Sequence, residues 1–325
     1  MRTLIIKSLL LLCLSSVFAC FAGAADDFPN GPVRIIVPYT PGGFNDQLAR
    51  VVGSELTKMW HQSVIVENHP GGNTIIGNNL AAKSPADGYT ILITPMPFAS
   101  LPALYGDNLP YDALKDFQPV VLAANTQNIL VARNDLPINS VQELLDFAKS
   151  NPGKLNYGST GSGSSNHLSM ELLMQMTNTK LTHVPYKGSA PATLALMSGE
   201  IDVLFDNIPN VLNQLKAGKM KAIAVTGLQR SPLFPSVPTV MESGVPGYEV
   251  NIWFGMQVPA ATSKPIVDRL NRDIVHVLKE PEVIQKFADQ GVHALGSSPE
   301  AFGQLLQSEV PKWTKVIRDG NVKIE

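Results

Sequence analysis

Two loops in this chain gather small and hydroxyl-bearing residues where a strand pattern gives way to a helix pattern. The first is Pro38-Tyr39-Thr40-Pro41-Gly42-Gly43-Phe44-Asn45-Asp46, and the second runs Tyr157-Gly158-Ser159-Thr160-Gly161-Ser162-Gly163-Ser164-Ser165-Asn166-His167. A helix N-terminus carries unpaired backbone N–H groups and a partial positive charge, and glycine lets a ligand come close to that backbone. Such a terminus receives a carboxylate as well as a phosphate. In the second loop Ser159, Thr160, Ser164 and Ser165 add hydroxyl donors. Gly and Ser here also suit ordinary helix capping. Two such loops, each after a strand, point to ligand contact instead. No arginine lies inside either loop, so an anion would be held by N–H groups, hydroxyls and helix dipoles rather than by a guanidinium fork.

Other residues near these loops carry two readings each. Asp46 suits the helix dipole and stands four residues before Arg50, an ion-pair spacing. It also suits a bond to a ligand amine or an ordered water. Asp206-Asn207, at the end of the strand pattern over 201–205, is either a simple turn or a place that accepts from a ligand or bridges the lobes. His167 is either a hydrogen bonder at a helix start or a base. Tyr39 and Phe44 in the first loop, with Thr94, Met96 and Phe98 after the third strand, either form an apolar wall or pack the base of their loops. A wall would suit an aromatic or extended-chain carboxylate better than citrate.

Sharper catalytic motifs fail on spacing. Gly161-x-Gly163 continues to Asn166 rather than to a third glycine, so there is no dinucleotide fingerprint. Gly153-Lys154 and Gly218-Lys219 are not followed by Ser or Thr, so neither closes a P-loop. No G-x-S-x-G occurs, and no His-Asp pair supports a secreted serine hydrolase acting through the 159–165 loop. No cofactor and no metal site is expected.

The elements that must position these loops follow the alternation of α/β layers. Strands are expected over 33–37, 64–66 and 89–93. A helix over 44–59 has Leu48, Val52, Leu56 and Met59 on one face, and another is expected over 77–83. Residues 120–132 hold two apolar stretches with no helix between them, a crossing into a second lobe. That lobe has its own alternation: a helix capped by Ser140, a strand over 155–157, and a helix from Ser164 or Ser165 to Met176. Strands over 181–184, 201–205 and 221–226 and a helix over 190–197 complete it. A Pro-rich return over 231–246 leads to a strand over 250–258 and helices over 264–278, 280–290 and 299–319. The expected organisation is therefore lobe 1 over 26–122 and 250–325, lobe 2 over 123–249, and a hinged cleft between them.

Arg2 and Lys7, an apolar run over 8–19 and Ala22-Gly23-Ala24 form a secretory signal peptide, 1–25, cleaved near Ala24 or Ala25. The run is too short to span a bilayer. Both cysteines, Cys13 and Cys20, lie in it, so the exported chain has no disulfide, thiolate ligand or cysteine nucleophile. Val17-Phe18-Ala19 before Cys20 does not fit a lipidation signal. Without Arg2 and Lys7 there are 23 basic residues to 27 acidic and no basic run, which argues against nucleic acid as a partner. No later apolar stretch reaches membrane-spanning length.

The residues also resemble a known family. The order Pro32-Val33-Arg34-Ile35-Ile36-Val37-Pro38, Pro41-Gly42-Gly43-x-x-Asp46-x-x-Ala49-Arg50, Val66-Glu67-Asn68-x-Pro70-Gly71-Gly72 and Pro85-Ala86-Asp87-Gly88-Tyr89-Thr90 is similar to the tripartite tricarboxylate transporter substrate-binding proteins (TctC, or Bug, family). So are Gly158-Ser159-x-Gly161-x-Gly163-Ser164-x-x-His167-Leu168 and Val184-Pro185-Tyr186-Lys187-Gly188. The resemblance covers 28–318. It implies a two-lobed periplasmic binding protein of the Venus-flytrap kind, monomeric and without catalytic activity. Such a protein captures a di- or tricarboxylate, acidic amino acid or aromatic carboxylate and passes it to membrane transporter components. A signalling receptor as partner is the alternative. Family binding residues would correspond to the Gly42-Gly43 loop with Asp46, the Ser159–Ser165 loop and Asp206, while Phe44 and Asn45 fall at variable positions.

Overall fold

Val33, Ile35, Ile36 and Val37 are all fully buried, and this almost unbroken apolar run makes β1 (Val33–Val37) an interior parallel strand covered on both faces. The computed structural model describes residues 28–324; the expected signal peptide and both cysteines lie outside the described residues. The strands continue as β2 (Val64–Asn68), β3 (Thr90–Pro95), β4 (Phe117–Thr126), β5 (Asn128–Ala132), β6 (Asn156–Ser159) and β7 (Thr182–Pro185), then β8 (Val203–Asn207), β9 (Lys221–Val225), β10 (Ile252–Pro259) and β11 (His293–Ala294). They form two sheets, of order β11-β4-β10-β3-β1-β2 and β7-β6-β8-β5-β9. In the first, β1, β2 and β3 are parallel and β10 runs antiparallel between β3 and β4. In the second, β6, β7 and β8 are parallel and β5 runs antiparallel to β8 and β9.

The chain leaves the first sheet at Thr126 and enters the second at Asn128, with only Gln127 between. It returns through the Pro-rich segment. There Val240 N–H donates to Val225 O and Val225 N–H to Pro238 O, which covers the free edge of β9. The eight residues of β10 are all buried.

The helices Phe44–Trp60, Ile75–Ala82, Val141–Ser150, Ser165–Thr177, Ser189–Ser198, Lys264–Leu278, Pro281–Ala288 and Pro299–Asp319 lie where periodicity placed them, within a few residues. Two further segments escaped it. Leu101–Tyr105, entered through a 3-10 turn at Met96–Ser100, and Ile208–Lys216 both carry Pro in their first turn. There proline starts a helix instead of marking a loop.

One core fills the first sheet and runs on beneath one face of the second; a smaller core covers the other face. β5 shows the division by alternation: Leu130 and Ala132 face the large core, Ile129 and Val131 the small one. The helix Pro299–Asp319 spans both halves. It packs on β4 and on the helix Ser165–Thr177, and Gln175 Nε2 donates to Val316 O at 2.8 Å. Its buried Glu309 accepts from the indole N–H groups of Trp253 (2.9 Å) and Trp313 (2.8 Å), satisfying the polar edge of two core aromatics.

Gly255, inside β10, is where backbone and ring meet most closely. A Cβ there would lie 2.1 Å from Phe302 Cζ and 2.5 Å from its Cε1, and Phe302 is fully buried. Gly255→Ala is expected to lower stability by about 1–3 kcal/mol, seen as a lower urea midpoint. Adding Phe302→Leu should recover part of the loss.

Candidate functional site

Every parallel strand of both sheets runs into a helix start. β1 leads to Phe44–Trp60, β2 to Ile75–Ala82, and β3 to the Met96–Ser100 turn. β6 leads to Ser165–Thr177, β7 to Ser189–Ser198 and β8 to Ile208–Lys216. The helices beginning at Phe44, Ile75, Ser189 and Ile208 have no side-chain hydrogen bond at the N-cap, so no capping side chain takes their first-turn N–H groups. The two sets of loops meet. Asn73 Nδ2 donates to Ser162 O at 3.1 Å and Ser100 Oγ to Gly163 O at 3.2 Å. The carboxyl ends of one set of parallel strands thus face those of the other, the usual place for a ligand in open α/β sheets.

In the first loop Asp46 is the clamp. Its carboxylate accepts from Gly42 N (3.1 Å), Arg50 Nε (2.9 Å) and Asn68 Nδ2 (3.0 Å). Burial alone would push this carboxyl up, but the bonds from Arg50, Gly42 and Asn68 outweigh burial and hold it below the usual range. Asn68 Nδ2 also donates to Tyr39 O at 3.1 Å. The carboxylate therefore shapes the loop, while Gly42, with φ 98°, and Gly43 remain exposed. Tyr39 is part-buried, and burial raises the pKa of its hydroxyl. Asn45 Oδ1 is buried with no hydrogen-bond partner among the described residues.

The structure places Phe44, Thr94 and Phe98 behind the loops, in the core. The Phe44 ring packs on Phe254 (4.6 Å between centroids) and Phe287 (5.3 Å). Phe98 stacks on Tyr111 and meets Phe117 edge-on. Met96 is fully buried, and Thr94 Oγ1 donates to Gln257 Oε1 at 2.9 Å. Both rings are thus buried among aromatic partners beneath the loops.

The second loop is held by a dense polar network. Asn166 Nδ2 donates to Phe205 O (2.7 Å), and its Oδ1 accepts from Thr160 Oγ1 (2.7 Å), tying the loop to β8. Ser164 caps the Ser165–Thr177 helix by accepting from His167 N, and Ser165 Oγ accepts from Asn207 Nδ2 at 3.3 Å. Gly161 and Gly163 have φ of 117° and 78°, a region that favours glycine. Gly163 N–H donates to His167 Nδ1 at 3.2 Å. His167 Nδ1 therefore carries no proton, and the proton sits on Nε2, facing Glu171 Oε1 at 3.4 Å. The His167 ring lies 3.9 Å from that of His183, whose Nε2 is 2.6 Å from Ser159 Oγ. Burial, reinforced by His167, pushes His183 down from 6.5 to about 3. His167 is thus buried beneath the loop and hydrogen-bonded to it.

Asp206 is fully buried. It accepts from Ser189 Oγ, from Asn207 N (2.7 Å) and from Asn210 Nδ2 (2.8 Å). Burial raises its carboxyl pKa against the pull of those bonds. It fixes the start of Ser189–Ser198 relative to β8. Sequence reasoning missed Asn73, Asn166 and Ser189. An asparagine or serine next to a strand-end glycine or at a strand terminus was the available signal, but it reads equally as a turn. Two surface hollows of about 420 and 470 Å³ lie elsewhere. One is lined by Arg50, Glu55, Glu282 and Lys286, the other by Leu114, Gln118, Pro299 and Gln304; neither reaches the 159–164 loop.

Two α/β sheets joined by crossings, with helix starts opposed across their junction, define a periplasmic binding protein fold. A family model described as the tripartite tricarboxylate transporter family receptor matches residues 48–322. The structure of Rpa4515 from R. palustris with adipate superposes with a TM-score of 0.84 at 35% identity, covering 91% of this chain and 99% of that one. The periplasmic binding protein BugD gives 0.81 at 34% (92% and 100%). MatC from Rhodopseudomonas palustris with bound malate gives 0.80 at 31% (89% and 100%). The chain belongs to the tripartite tricarboxylate transporter receptor (TctC, or Bug) family, and it is a solute-binding receptor rather than an enzyme.

The histidine pair predicts a pH response of stability. His183 takes up a proton near pH 3 in the fold and near 6.5 once unfolded. Acidification below 6.5 therefore favours the unfolded chain, and stability falls as pH drops from 6.5 toward 3. Urea unfolding at about pH 7 and about pH 5 should show a smaller fall for His183→Gln than for the parent. An equal fall in both would assign the effect to other groups.

Proposed function

We propose that the protein captures a small organic carboxylate between two lobes and delivers it to the membrane components of a tripartite tricarboxylate transporter. The carrying observation is the opposition of helix starts from both sheets, with no lysine or arginine inside either glycine-rich loop. Several weak dipoles and N–H donors then act on one anion. The lobes are taken as 26–122 with 250–325, and 123–249, with the hinge at the sheet change around Gln127 and on the return before β10. In this reading the chain is exported by its signal peptide, cleaved near Ala24 or Ala25, and works as a monomer in the periplasm. The adipate and malate bound by two relatives support a di-acid.

The exposed Gly42-Gly43 backbone, the Asn45 side-chain amide as donor and the Ser159–Ser165 loop are the proposed contacts. Asp46, His167 and Asp206 hold those contacts in place. Because Phe44, Met96 and Phe98 are packed away, the site is polar, and a chain-like di-acid fits it better than an aromatic one.

Binding is expected to require an ionised carboxylate. In calorimetry with adipate, malate and citrate, the best binder should lose at least about tenfold affinity as its mono-methyl ester, since a charge-assisted hydrogen bond contributes about 1.5–3 kcal/mol. Equal affinity for acid and ester would remove the anion reading while leaving the family membership untouched.

A further inference from the structure

β3 and β8 run directly into helical turns, so the other parallel strands are followed by the connections 38–43, 69–74, 160–164 and 186–188. Lys187, in the last, is the one lysine or arginine in any of them. Its neighbours are fixed. Tyr186 N–H donates to Ser159 O at 3.0 Å, and the Tyr186 hydroxyl to Glu200 Oε1 at 2.8 Å. On the other side Ser189 Oγ donates to the buried Asp206. The Lys187 backbone therefore stands beside the glycine-rich 159–165 loop. Its side chain is exposed and makes no ion pair or hydrogen bond among the described residues.

Local stability does not ask for a cation here. Lys187 comes just before Gly188, the cap residue of the Ser189–Ser198 helix. The N-terminal end of a helix carries partial positive charge, so a cation there is unfavourable. The first turn holds no acidic residue to offset it. Several other lysines are placed with partners: Lys58 with Glu55, Lys115 with Asp112, Lys264 with Asp268 and Lys312 with Glu309. A residue that breaks a local rule without a compensating contact marks a functional position. Here that position is the carboxyl end of β7, next to the loop proposed to receive an anion.

We propose that Lys187 is an electrostatic guide that draws multiply charged carboxylates to the site and favours di- and tri-acids over mono-acids. The inference rests on the carboxylate reading above and adds a charge preference to it. An exposed ammonium on a flexible stem is a solvated point charge, suited to attraction at a distance more than to a fixed contact. Coulomb attraction is proportional to the charge of the ligand, so a di-anion gains twice what a mono-anion gains. Salt screens it. Steering of this kind raises the rate of association and leaves dissociation to the short-range contacts. The division of labour fits the two loops: backbone N–H groups and hydroxyls hold one acid group whatever the rest of the solute carries, and Lys187 responds to the total charge.

The test is surface plasmon resonance on the immobilised protein with adipate, malate and citrate, and with the mono-methyl ester of the best binder. Salt is set at about 0.01 M, where charges act over about 30 Å, and at about 1 M, where they act over about 3 Å. At low salt Lys187→Gln should slow association of a di-acid roughly two- to fivefold, and of its mono-methyl ester by about the square root of that factor. Lys187→Glu should slow it further, and Lys187→Arg should match the parent. The differences should vanish at high salt, with dissociation rates unchanged throughout. The urea midpoint of Lys187→Gln should equal or exceed that of the parent, since a cation leaves a helix start; a structural role would lower it. Equal association rates in the parent and Lys187→Gln at low salt would overturn the guide and leave carboxylate binding standing. So would a loss that persists at high salt or is the same for acid and ester. Failure of the parent to bind any of the three acids would overturn the carboxylate reading, and the guide with it.

Discussion

The first turn of an α-helix leaves backbone N–H groups with no partner inside the helix, and much of this molecule is arranged around where those groups point. Three parallel strands in each sheet deliver helix starts to the same junction. The strands are fixed by burial: β1 and β10 are packed on both faces, so their ends cannot shift without opening the core. A cluster of aligned N–H donors with few capping side chains is costly to leave dry. It is stable next to water or an anion, and a binding cleft supplies one or the other.

The side chains that look most chemical are bonded to this backbone arrangement. Asp46 ties down the Gly42 loop, Asp206 ties Ser189 to β8, and the His167–His183 pair underlies the 159–163 loop. Each is buried and hydrogen-bonded, and each replaces solvent with a fixed dipole or charge. That arrangement holds the loop donors in place before the ligand arrives.

The loops themselves were legible because glycine, serine and a following amphipathic run have one main structural meaning together. The ordered motifs around them also made the family legible. Which way a loop side chain turns was not legible. Phe44 and Phe98 follow strands as a ligand wall would, but their rings turn inward because Phe254, Phe287 and Tyr111, distant in sequence, offer them apolar partners. The Ile208–Lys216 helix was hidden because Asn207 and Pro209 read as a turn until β8 fixes the direction of the chain. The change of sheet at Gln127 was hidden for a related reason: the apolar run over 120–132 shows no break at a one-residue crossing. Asn73 had no local signal, since its meaning comes only from Ser162 in the other half.

The stacked imidazoles beneath the 159–163 loop have a further consequence. His167 accepts from Gly163 N–H, and burial keeps His183 from taking up a proton until about pH 3. The His183 ring therefore keeps one electrical state through the mildly acidic range in which an ordinary histidine would switch. Its surroundings can acidify by several units without changing the charge on that ring. A carboxylate solute would change sooner: as its acid groups take up protons over their ordinary range, the ionised fraction shrinks, and the pH response would follow the chemistry of the solute.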